Sequence, residues 1–119
     1  MANTYTNAAA HLTDLDPQIV YTCPAGTTAI IKGIVASNLN DTLTHTVTVE
    51  WNDNSAGETY ALIYRGLVPV QSSLQTLDVS LVLEENDSIT ITADIGADST
   101  DQDDLSDGMD VTVSILELT

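Results

Sequence analysis

Three segments of the chain alternate apolar and polar residues one for one. In HTVTVEW, Val47, Val49 and Trp51 oppose Thr46, Thr48 and Glu50. In SITITADI, Ile89, Ile91, Ala93 and Ile95 oppose Thr90, Thr92 and Asp94; in MDVTVSI, Met109, Val111, Val113 and Ile115 oppose Asp110, Thr112 and Ser114. A side-chain period of two belongs to a strand with one face in a core and one in water, so these segments predict antiparallel sheet with a wet face. Less regular apolar runs at Ile19 to Cys23, Ala29 to Ser37, Tyr60 to Tyr64 and Leu74 to Leu83 predict more deeply buried strands, the last with a bend. The turn-rich stretches PAGTT, NLNDT, NDNSAGE, GLVPVQSS, EEND and GADSTDQDDLSDG separate them. No useful helical stripe interrupts this pattern. The expectation is an all-β fold of about seven to eight strands, an antiparallel β-sandwich of jelly-roll or Greek-key type.

At 119 residues the chain is long enough for one core without disulfide staples. Residues 17–119 read as a single β-sandwich domain. Residues 1–16, polar and alanine-containing, read as an edge strand around Tyr5 or as a flexible arm able to add a strand to a neighbour. The absence of a basic segment followed by an apolar one in MANTYTNAAAHLTDLDP gives no expectation of a secretion signal. The longest apolar stretch, AIIKGIVA, is too short to span a bilayer and carries Lys32.

Charge excludes whole classes of partner. Eighteen Asp and Glu stand against Lys32 and Arg65, a formal net charge of −16. Binding to nucleic acid rests on Lys and Arg displacing counterions from phosphates, and two cations cannot supply that footprint. Anionic membranes are disfavoured for the same reason.

The stretch YTCPAGTTAIIKG holds the sole cysteine, yet it carries no chemistry of its own. A phosphate loop needs Gly-Lys-Ser/Thr at a helix mouth, whereas Lys32-Gly33-Ile34 follows a strand-like run. Cys23 lacks a recognisable base, since His11 and His45 belong to unrelated segments, and it reads as a small buried hydrophobe at a strand end. Pro24 and Gly26 read as the corners of a hairpin turn. Lys32 is expected to neutralise a nearby carboxylate. His45, at the start of an alternating strand, has no second histidine at metal-binding spacing. No catalytic signature is present, so a non-enzymatic role is expected. The acidic segment Asp94 to Asp110 offers hard oxygen ligands, with Asp98, Asp101, Asp103 and Asp104 as calcium candidates, but its spacing does not match the EF-hand loop. The favoured reading is a solvated loop that repels anions.

VYTCPAGTTAIIKGIVASN resembles a segment, V-Y-T-x-P-A-G-T-T-A-I-x-K-x-I-x-x-x-N, of small tailed-bacteriophage virion structural proteins. LVLEENDSITITA is similar to that family's L-V-L-E-x-G-D-S-I-x-x-x-A, VPVQSSLQTL to its V-P-A-G-S-S-L-x-x-L, and DVTVSILEL to its last strand. Glu85-Asn86 stands where Ala-Gly is usual, and Asn86 can still take the left-handed conformation the turn needs. The resemblance implies a non-enzymatic component of the particle with a β-sandwich or jelly-roll fold. Capsid decoration or cement on the outer surface of the head is the first expectation, with self-assembly as a homotrimer and the major capsid protein as partner. A tail, neck or fibre-adaptor subunit, or a glycan-binding jelly-roll module, is the alternative. Tyr64, Leu67, Val68, Val70 and Leu81 are the interface candidates.

Overall fold

The computed structural model describes residues 2–77, 80–95 and 108–119. They form nine strands: β1 (Asn3–Leu12), β2 (Gln18–Thr22), β3 (Thr28–Asn38), β4 (His45–Asp53), β5 (Glu58–Val68), β6 (Ser73–Leu77), β7 (Leu81–Leu83), β8 (Ser88–Asp94) and β9 (Met109–Leu118). The pairing is nested and antiparallel throughout: β1 with β9, β2 with β8, β3 with β6 and β7, and β4 with β5. The chain is thus one long hairpin whose tip is the turn between β4 and β5. Folded over on itself, it makes two facing sheets, β1-β9-β3-β6 with β7 also on β3, and β2-β8-β4-β5. This is the jelly-roll order.

The ninth strand comes from the bend expected in Leu74 to Leu83. That run divides in two, β6 on Ile34 to Ser37 and β7 on Ala29 to Ile31, so two short strands occupy one position beside β3. The expected β2–β3 hairpin is corrected more deeply. Its turn is present, with the Thr27 amide donating to the Pro24 carbonyl (3.2 Å) and Gly26 at φ 75°. The strands it joins nonetheless lie in different sheets, because the backbone of Cys23 bonds to Asp87 and Asn86 of the opposite turn.

The alternation maps onto the core as expected. Val47, Val49, Ile89, Ile91 and Ala93 of one sheet meet Ile31, Ile34, Ala36, Met109, Val111, Val113 and Ile115 of the other, all buried. Each fully buried Val or Ile contributes about 1.5–3 kcal/mol of hydrophobic stabilisation. Trp51, at the end of its alternating run, is half-buried and stacks on Tyr60 with ring centroids 5.2 Å apart. Residues 3–12 form an edge strand, in unbroken register with β9 from Asn3↔Leu118 to Leu12↔Met109.

Candidate interaction surface

The stretches VYTCPAGTTAIIKGIVASN and LVLEENDSITITA meet at one joint. Where β2 ends, the Cys23 amide donates to the Asp87 carbonyl and the Asn86 amide donates to the Cys23 carbonyl, both at 2.8 Å. Asn86 stands at φ 71°, the left-handed conformation expected of it. The Gly26 amide donates to Glu85 Oε2 (3.0 Å). Asp87, itself buried, accepts from the Glu84 amide at Oδ2 (3.0 Å) and from the Asn54 amide at Oδ1 (2.9 Å), so it also holds the β4–β5 turn. A buried carboxylate is tolerable only where such donors replace its water.

The last strand joins in through Glu117, which accepts from the Tyr21 hydroxyl (2.6 Å). Burial, then the bond to Glu117, raises the Tyr21 phenol well above its ordinary range. Burial likewise pushes the Cys23 thiol up, and its Sγ lies 3.3 Å from the Thr27 carbonyl. A raised, buried thiol is the reverse of an activated nucleophile.

The interface candidates separate. Tyr64 and Leu67 are 72% and 64% exposed on β5, an outer strand of its sheet. Val68 follows Leu67, so alternation turns it inward, where it is fully buried; its placement is that of a core residue. Val70 is half-buried in the β5–β6 connection, and Leu81 is half-buried on β7 opposite Ile31. Asp98, Asp101, Asp103 and Asp104 lie outside the described residues. Of that segment's flanking acids, Asp94 pairs with Arg65 (3.5 Å) and Asp110 with His11. Among the described residues no group of three or more His, Cys, Asp or Glu is placed to hold a metal. Lys32 is exposed, and no carboxylate among the described residues forms the ion pair expected of it.

Two features had no simple signal in the sequence. Asn38 and Asn40 build the β3–β4 connection from inside: Asn38 Nδ2 donates to the Leu43 and Val68 carbonyls, and Asn40 Oδ1 accepts from the Thr42 and Leu43 amides. The second is an apolar row across the outer face of the larger sheet. Tyr5 is opposite Leu116, Leu116 opposite Ile30, and Ile30 opposite Val82, so four strands place one apolar side chain each in a single line. Tyr5 is 78% and Val82 54% exposed. Beside the row, a shallow depression is lined by Tyr5, Asn7, Lys32 and Ser114. Each residue of the row is unremarkable in its own strand; only the register aligns them.

No protein-family model and no curated protein matches the chain. Solved structures do. A structure described as "Bacillus endospore appendages form a novel family of disulfide-linked pili" aligns with a TM-score of 0.52 at 14% identity, covering 99% of this chain and 87% of that one. A chain of the cyanophage Pam1 capsid asymmetric unit aligns at 0.43 and 20% identity, covering 98% and 82%. One from infectious bursal disease virus Gt strain aligns at 0.41 and 9%, covering 98% of this chain and 32% of that. The likeness to the appendage structure is one of fold, over nearly the whole length of the chain.

Proposed function

We propose that the chain is a non-enzymatic structural subunit of a bacteriophage virion, a capsid decoration or cement protein on the outer surface of the head. It works as a homo-oligomer, a homotrimer, bound to the major capsid protein. The observation that carries this reading is the use made of the motif residues. Gly26 and Asp87, which match the phage virion motifs, and Cys23, Glu85 and Asn86, which stand at their variable or departing positions, bind together the two turns by which the chain passes from one sheet to the other. A motif that makes a rigid jelly roll suits a building block, whose work is done by its surface. A disulfide-linked fibre is a poorer fit, because the sole cysteine is buried and free. Tyr64 and Leu67 are the side chains offered to the capsid.

The test is a phage lacking this gene product. Its particles should release DNA at lower temperature and after milder osmotic shock than complete ones, and added protein should restore them. Equal robustness would remove the cement role, and labelling found on the tail by electron microscopy would move the subunit to the tail or neck.

A further inference from the structure

We infer that the outer face of the sheet made by β1, β9, β3, β6 and β7 is where a second copy of this chain docks, face to face. The inference rests on the self-association in the reading above but gives this face a twofold contact between two copies, distinct from any threefold one, and it does not depend on where in the particle the subunit sits.

Charge selects the occupant. Among the described residues, the outward register positions of this face carry one carboxylate, Asp110, and it is bonded to His11. Glu117, the other acid of β9, is bonded to Tyr21 of the opposite sheet. Lys32 stands exposed on β3 at the bulge between Ile31 and Gly33, without an ion-pair partner among the described residues. A basic partner would find no free carboxylate among the described residues of this face. A molecule of net charge −16 meets its own copy at least cost on a face where carboxylates are sparse and already hydrogen-bonded, and two lysines bring positive charge to the contact.

Shape and area agree. The Tyr5–Leu116–Ile30–Val82 row is an apolar strip on a mainly polar surface that also carries His11, Asp110, Lys32 and Val35, and half of the row is well exposed. Four strands about 4.8 Å apart and about ten residues long give a face of roughly 600 Å² per copy. Doubled, that reaches the lower bound of about 1,200 Å² for a specific interface. A twofold contact needs one self-complementary patch, which a neutral strip with a polar margin supplies.

Sedimentation equilibrium of the purified protein tests this, with Tyr5→Asp, Val82→Asp, Lys32→Glu and, as control on the other sheet, Leu67→Asp. All are first checked for the wild-type circular dichroism melt. Wild type should self-associate more tightly as NaCl is raised, because screening removes repulsion between acidic molecules. Tyr5→Asp and Val82→Asp should each weaken association by about tenfold or more, by placing an unpaired carboxylate in the contact. Leu67→Asp should leave it unchanged. Should either face variant fail to fold, Lys32→Glu carries the test, since its side chain is exposed and reversing its charge restores repulsion. A wild type monomeric at every concentration, or association lost in Leu67→Asp and kept in the face variants, overturns the inference. Co-sedimentation with empty capsid shells separates the two readings. A monomer that binds shells refutes the docking face alone, and a dimer that ignores them refutes the capsid decoration role alone.

Discussion

Tyr21 and Cys23 are two residues apart at the end of β2, and both titrate above their ordinary values in the folded chain. For Tyr21 the causes are burial, then the bond to Glu117. For Cys23, burial outweighs the lowering effect of a backbone bond at Ala29, and the charges of Glu117 and Asp87 add to it. A folded-state value raised above the unfolded one means that the native chain holds its proton more tightly. The stabilisation is then complete below the unfolded value and drains away as pH rises past it. The relevant ordinary values are 9.0 for the thiol and 10.0 for the phenol. The urea midpoint should therefore fall between about pH 8 and about pH 11, and a Tyr21→Phe, Cys23→Ala double variant should fall less steeply. Identical slopes would show that other groups govern alkaline unfolding. That Cys23 is structural was legible from the missing base. Its carboxylate neighbours were not, because Asp87 and Glu117 are brought to it by pairings more than sixty residues apart in sequence.

At the scale of elements, alternation located the wet-faced strands well because each period-two run meets the core on its own. It could not assign β2 and β3 to different sheets, since a Pro-Gly turn has the same local chemistry whether it reverses a hairpin or crosses a sandwich. Nor could it show how β5 is broken. The register with β4 passes from Val47↔Gly66 to Val49↔Ile63, so one extra residue bulges out there. Arg65 takes φ 53° at that point and its amide donates to Thr48 Oγ1 (3.1 Å). Gly66 follows with its α-carbon turned toward the core; a β-carbon there would collide with the Ile63 side chain and lie 3.1 Å from Leu74 Cδ2. Gly66→Ala should destabilise by about 1–3 kcal/mol in urea titration, the range for overfilling a packed site. Ile63→Val in the same chain should recover part of the loss, since it removes the nearest methyl. A neutral Gly66→Ala would mean that Ile63 swings clear and the bulge is loosely packed.

For the molecule as a whole the dominant long-range force is self-repulsion, and its distribution is what the structure adds to the net charge. Of the twelve acids among the described residues six lie on strands, while Asp14 with Asp16, and Glu84 and Glu85 with Asp87, form clusters in connections between strands. The only Lys or Arg ion pair among the described residues, Arg65 to Asp94, is exposed on both sides and contributes little. The molecule measures 48 × 27 × 20 Å. At 0.01 M ionic strength the screening length is about 30 Å, so acids at opposite ends of the shorter axes feel one another; at 0.15 M it is about 8 Å, and each cluster is nearly alone. Folding brings these charges closer than the unfolded chain does, so screening should favour the folded state. Raising KCl over that range should lift the melting temperature. In a domain of this size about 1 kcal/mol of relief appears as roughly 4 °C. The measurement belongs on Tyr5→Asp at low protein concentration, so that a gain from docking of copies is not mistaken for one within the monomer. A melting temperature that stays flat over the range would mean that the acids are already neutralised in place, by bound cations or by raised proton affinity, and that the surface is less charged than its composition.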